Sequence, residues 1–193
     1  MTTPVLLDVV SNRADLSTAI RVAAVLFVTV LTIVAAQVSV PLPFTPVPFT
    51  LQPMVVLLGG AALGARLGMS AQILYLALGI AGLPVFAASP ILPQGFGRLL
   101  GPTGGYLMSY PIAALVTGYL AQRGLDRRYV TSVAAMVAGL AIVFTCGVLW
   151  LAFGVQAGLA GAVSTGFIPF IPADIVKVLL AAAILPAAWK FLR

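Results

Sequence analysis

The chain has 193 residues, 62% hydrophobic, with ten basic and four acidic side chains, a net charge of +6 and no histidine. Roughly a quarter of a soluble domain is charged, so these few charges cannot cover a surface in water, and lipid is the implied solvent. Without imidazole, Ser-His-Asp and Cys-His catalysis, His-ligated zinc and a His proton relay are excluded, and the single Cys146 excludes a disulfide framework or thiolate cluster within one chain.

A bilayer core about 30 Å thick needs roughly 20 apolar residues per helix, and the chain has room for about six such spans with short loops. Residues 1–16, with Asp8, Arg13 and Asp15, lack a signal-peptide pattern and are expected to form a short, partly ordered cytoplasmic tail. The first span is predicted over 17–38, with Arg21 near enough to its end to snorkel and with Ala19 and Ala23 on one small-residue face. Prolines 41, 43, 46 and 48 forbid helix in the next stretch, which reads as a structured loop. A short second span, 52–65, brings Gly60, Gly64 and Gly68 at four-residue spacing for close helix contact, and Arg66 is expected to end it.

A third span, 67–84, leads into an irregular stretch, 86–105, rich in proline and glycine; twenty residues without a regular pattern read as a functional loop. The fourth span, 106–121, carries Pro111 as an expected kink, and a polar turn over 122–128 follows. The fifth, 129–153, is the longest; 154–172 is again interrupted by Gly and Pro, and the sixth, 173–189, closes the chain. The expected architecture is an all-α integral membrane protein with one six-helix domain over 17–193.

Basic residues collect in cytoplasmic loops. Arg13, Arg21, Arg66, Arg123, Arg127, Arg128, Lys190 and Arg193 all fall on one side of this scheme, which predicts cytoplasmic N- and C-termini and agrees with an even number of spans. Scattered in this way, and without an interleaved aromatic stripe, they do not suggest nucleic acid.

The two remaining cations, Arg98 and Lys177, lie in or beside the opposite loops. Asp174 and Lys177 are one turn apart on an apolar helix and share a face; an ionised group there points to a functional site, with an interfacial ion pair as the plain alternative. Arg98 could hold a small anion by a bidentate contact, or be a solvated loop residue. Gln52, Gln72 and Gln94 offer both donor and acceptor, and for Gln72, mid-span, an interhelical hydrogen bond is the simpler role. Phe44, Phe49, Phe86, Tyr106 and Phe170 ring the same end. Gly101-Pro-Thr-Gly-Gly105 lacks the Gly-Lys-Ser/Thr ending and the preceding strand of a nucleotide loop.

Four ordered motifs make a more specific signal: Pro41-Leu-Pro-Phe-Thr-Pro-Val-Pro-Phe-Thr-Leu-Gln52, Gly82-Leu-Pro-Val-Phe-Ala87, Gly101-Pro-Thr-Gly-Gly-Tyr-Leu107 and Phe170-Ile-Pro-Ala-Asp-Ile-Val-Lys177. Together, over nearly the whole chain beyond the N-terminal tail, they resemble the BioY family, the biotin-binding S components of energy-coupling factor (ECF) vitamin transporters. Ala173 stands where the family has glycine, and 88–97 replaces a Gly-rich stretch. The resemblance implies a non-enzymatic substrate-capture subunit in the cell (inner) membrane, with biotin as ligand and no cofactor or metal. It further implies a transmembrane coupling protein and two ABC-type ATPase subunits as partners, with Ala19 and Ala23 as the coupling face. The expected binding residues are Asp174, Lys177, Arg98, Gln52, Phe86, Gly104, Gly105 and Tyr106, with the ligand carboxylate assigned to Arg98 or, in the reverse orientation, to Lys177. An S component for another vitamin and an intramembrane enzyme are the alternatives; an aspartyl protease would need a second membrane-depth acid beside Asp174.

Overall fold

A computed structural model describes residues 3–11, 17–89 and 92–192; Arg13, Asp15, Pro90 and Arg193 lie outside them. Six helices of twelve or more residues occur among the described residues: α2 (Ser17–Gln37), α3 (Gln52–Leu63), α4 (Ala65–Ile80), α6 (Gly104–Ala121), α7 (Tyr129–Leu149) and α9 (Ile171–Leu192). Three short ones, α1 (Leu6–Ser11), α5 (Gly97–Leu100) and α8 (Leu159–Gly166), fill the segments between or before them. The stretches Thr18–Gln37, Tyr129–Gly154 and Leu159–Phe191 are long and apolar enough to cross a membrane, whereas Gln52–Leu63 and Ala65–Ile80 are apolar but shorter. In such a solvent the helix is the economical form, because it satisfies its own backbone polar groups.

The proline-rich stretch is closed at its base by two short antiparallel strands, β1 (Ser39–Val40) and β2 (Phe49–Thr50), pairing Ser39 with Thr50. Pro53 then starts α3, its missing N–H falling where a helix has no use for one. The expected break between the second and third spans is present as a hairpin turn at Gly64 rather than at Arg66. Gly64 adopts φ 83°, α3 stops at Leu63 and α4 starts at Ala65, so Arg66 belongs to the first turn of the following helix. Gly60 and Gly68 face each other across this hairpin, and a Cβ on Gly68 would fall 2.7 Å from Gly60 Cα. The contact foreseen from their spacing is present, but between two antiparallel helices.

The core runs the length of the bundle, from Val5 and Leu7 through Leu57, Met136 and Ala181 to Phe86 and Phe170. The N-terminal segment is therefore docked through α1 and the residues before it. Gln72 makes the expected interhelical bond, donating to Thr32 Oγ1 at 3.2 Å. Pro111 and Pro186 lie inside α6 and α9.

The long helices run between two unlike ends. At one, the Thr3 N–H donates to the Gln122 carbonyl (2.7 Å), and Trp189 Nε1 donates to Asp126 Oδ2 (2.6 Å). Arg127 there lies over the Trp189 ring, 3.4 Å from its centroid, and donates to the Pro4 carbonyl at 2.7 Å. At the other end, Val47 and Pro48 of the 41–50 loop meet Phe86, Ala87, Arg98 and Phe170 around a cavity.

Candidate binding site

Four parts of the chain wall this cavity: the β2–α3 junction (Thr50, Gln52, Pro53), the loop with Phe86, Ala87 and Arg98, the first turns of α6 (Thr103, Tyr106, Leu107, Tyr110), and α9 with Asp174 and Lys177. Val47, Pro48, Phe170, and Val143 and Phe144 of α7 complete it. Its walls are mostly apolar with a few convergent polar groups, the character of a small-molecule site.

Asp174 and Lys177 come together as their spacing requires. Lys177 Nζ donates to Asp174 Oδ1 and to the Thr50 carbonyl, both at 2.6 Å, and lies 3.7 Å from the centroid of the Phe49 ring. Two hydrogen bonds and an aromatic face thus surround the ammonium. Asp174 spends one oxygen on Lys177 and retains accepting capacity, since an ionised carboxylate offers about four lone-pair positions. The pair is desolvated, at 3% and 6% exposure.

Arg98 is more buried still, at 1%. Its Nη2 donates to the Ala87 carbonyl, while Nη1 is buried without a protein partner among the described residues. Burial pushes this guanidinium below its ordinary pKa. The solvated-loop reading of Arg98 does not hold. Two buried cations against one buried anion leave the lining with an uncompensated positive charge.

Gln52 Nε2 donates to Tyr75 Oη at 2.6 Å, and Tyr75 meets Phe86 edge-on with centroids 5.6 Å apart. Tyr106 Oη is held by the Gly166 carbonyl at 2.7 Å, which leaves its ring as wall. Gln52, Phe86, Arg98, Tyr106, Asp174 and Lys177 therefore converge on one cavity. Gly104 and Gly105 do not line it; they bring the start of α6 against the Leu99 carbonyl and Trp150, where a Cβ on Gly104 would lie 3.0 Å from Trp150 Nε1. Gln94 and Phe44 are exposed and stand apart from the cavity.

Residue-type reasoning missed Thr50, Thr103 and Tyr110. Thr50 acts through a backbone carbonyl, which no side-chain pattern reveals. Thr103, directly before Gly104, carries a helix-start signal that could have singled it out.

A family model, the BioY family, matches residues 10–193. The chain belongs to the BioY family. Relatives include the biotin transporter BioY of Thermotoga maritima, 42% identical over 156 residues, covering 81% of this chain and 88% of that one. The biotin transporter BioY of Rhizobium etli is 32% identical over 174 residues, with 86% and 91% covered. A crystal structure of the S-component for biotin from an ECF-type ABC transporter superposes with a TM-score of 0.82 at 25% identity, over 92% of this chain and 94% of that one. Membership rests on sequence, and the fold of the biotin S-component agrees with it.

Proposed function

We propose that this chain is the biotin-capturing membrane subunit of an ECF-type uptake transporter. The observation that carries the reading is the cavity itself: apolar walls, a carboxylate with accepting capacity to spare, and a buried guanidinium with an unused donor. Biotin is a compact bicycle whose ureido group has two N–H donors and a carbonyl, joined by an aliphatic chain to a carboxylate. Asp174 accepts from a ureido N–H, and Arg98 holds the carboxylate by a charge-assisted contact. The family membership and the names of the relatives support this ligand.

The subunit binds and does not catalyse. No nucleotide motif occurs in the chain, so ATP-driven release falls to a transmembrane coupling protein and two ABC-type ATPase subunits. Ala19 and Ala23 are exposed on α2, beside Val22, Leu26 and Phe27, and form the surface offered to the coupling protein. In this reading the chain crosses the cell membrane six times, with both termini and the Arg66 and Arg123–Arg128 turns inside and the cavity mouth outside. The domain spans 17–193, and the segment before it docks at the cytoplasmic end.

Calorimetry on purified protein tests the ligand: saturable binding of biotin is expected, with none for thiamine or riboflavin. Folded protein that binds another vitamin and ignores biotin would overturn the assignment. Cysteine placed at Thr45 and labelled only from the cytoplasmic side would overturn the topology.

A further inference from the structure

α7 and α9 fall within stretches long and apolar enough to cross a membrane, and on their outward side they do not close on each other. One hollow lies between α7 and the start of α9, with Leu140, Ile171 and Ile175 on its walls, and a second lies between α7 and α8, with Val148 and Val163. The two meet at Phe144, Thr145 and Phe167, which line both. Together they make one groove that follows α7 from Val137 to Leu149, about 18 Å at the helical rise. Its rim faces outward, since Val137, Leu149 and Ile175 are exposed.

The floor of the groove limits what can lie in it. Phe144 and Phe167 meet edge-on there, with ring centroids 4.9 Å apart, so the two walls already touch. An α-helix is about 10 Å across and cannot enter between walls in contact, which excludes a helix of a second copy or of another protein from the floor. Water needs about two to four polar partners. The groove offers it the Thr145 hydroxyl and Asp174, itself only 3% exposed. Left empty, the hollow would forfeit the dispersion contacts of every side chain around it. A single hydrocarbon chain fits the width, the length and the medium on that side.

The groove also adjoins the ligand cavity. Phe144 and Asp174 line both, so one layer of side chains separates what lies outside from what is bound inside. We infer that this groove is a lipid site: it holds one acyl chain of a bilayer lipid against the outer side of Phe144, whose other side is cavity wall. The inference rests on α7 and α9 crossing the bilayer, and it is independent of which ligand the cavity takes.

The test reconstitutes the purified chain in phosphatidylcholine vesicles doped with a phosphatidylcholine that carries a photoactivatable diazirine on its acyl chain. After irradiation, labelled residues are mapped by mass spectrometry, and circular dichroism checks that each variant is folded. Labelling is expected at Ala141, Thr145 and Leu149 at several times the level of Val30 and Val34, which are exposed on α2 outside the groove. Ala141→Trp fills the groove from its rim and should bring Thr145 and Leu149 down to the α2 level; Val137→Trp does the same if the first variant does not insert. Phe144→Ala, or Phe144→Val if the former does not fold, opens the partition, so that Tyr110 of the cavity wall, unlabelled in the wild type, becomes labelled. Equal labelling of the groove and α2, or no effect of the filling variants, would overturn the lipid site. Labelling of the groove below the α2 level would also overturn it, because a protein surface would then be covering the groove. A Tyr110 that stays silent in the folded Phe144 variant would overturn the partition. A chain labelled nowhere would overturn the membrane-crossing reading itself.

Discussion

Both ends of the bundle bury an acid beside a base, and they use the pair differently. At the basic end, Asp126 is 1% exposed, accepts from Trp189 Nε1, and faces Arg127 Nε at 3.4 Å. Arg127 also lies over the Trp189 ring and donates to the Pro4 carbonyl. The cluster ties three distant parts of the chain, the N-terminal segment, the α6–α7 turn and the end of α9, while Asp126 Oδ1 and Arg127 Nε make no hydrogen bond among the described residues. At the cavity end, Asp174 and Lys177 are just as close, yet Arg98 Nη1 and Thr103 Oγ1 are left over. Both ends leave buried polar atoms over, and the difference lies in what these face: the packed Trp189 ring and N-terminal segment at one end, a cavity at the other.

Asp174→Asn strikes the contrast hardest. Removing one partner of a desolvated charged contact typically costs about 2 to 5 kcal/mol, so biotin affinity should fall roughly 30-fold to several thousand-fold, measured by calorimetry on protein that still inserts. Wild-type affinity in that variant would place the ligand elsewhere. Replacing both Ala19 and Ala23 by Trp addresses the far end of α2: copurification with the coupling protein should disappear while biotin binding persists. Loss of both together would mean that these alanines serve the fold.

Trp189→Phe keeps the ring under Arg127 and deletes the donor to Asp126. A hydrogen bond to a charged group contributes about 1.5 to 3 kcal/mol, so the thermal midpoint in detergent should fall while the biotin dissociation constant stays put. A change in affinity would show that the basic end communicates with the cavity. The smallest effect concerns pH. Burial raises the Asp126 pKa above its ordinary carboxylate value, against the opposing pull of the Trp189 hydrogen bond and the Arg127 charge. The folded protein then holds a proton at Asp126 that the unfolded chain releases. Wild-type stability should therefore decline relative to Asp126→Asn as pH rises from the ordinary value through the raised one, with a constant gap above it. Thermal midpoints of the two proteins from acid to neutral pH measure this.

What could be read from sequence follows how rare each signal is in this composition. With 7% charged residues, Asp174, Lys177 and Arg98 stand out against an apolar background, and the structure brings all three to one cavity. Prolines 41 to 48 excluded helix where the β1–β2 loop lies. The break between α3 and α4 was legible to within two residues: the charge of Arg66 marked its neighbourhood, and the positive φ at Gly64 sets its place. Helices α1, α5 and α8 are held by packing rather than by local preference, since segments of 4 to 8 residues do not form helix alone. Gly104 and Gly105 carried a motif signal but serve close packing against Leu99 and Trp150. The role of the Thr50 carbonyl depends on what surrounds it, which the order of residues does not display.

The hydrogen bond from Lys177 to the Thr50 carbonyl spans 127 residues of chain, and it sets an order of events during biogenesis. Gln52, Phe86, Arg98 and Tyr106 are all synthesised before α9, so most of the cavity wall is in place while its last side is missing. α9 brings Asp174 and Lys177 into the bilayer as a mutually neutralising pair one turn apart, which lessens the cost that a lone charge would meet there. Only when that final segment docks does Lys177 reach Thr50 and close the enclosure. A chain truncated before residue 171 therefore lacks the wall of the cavity that Asp174 and Lys177 form.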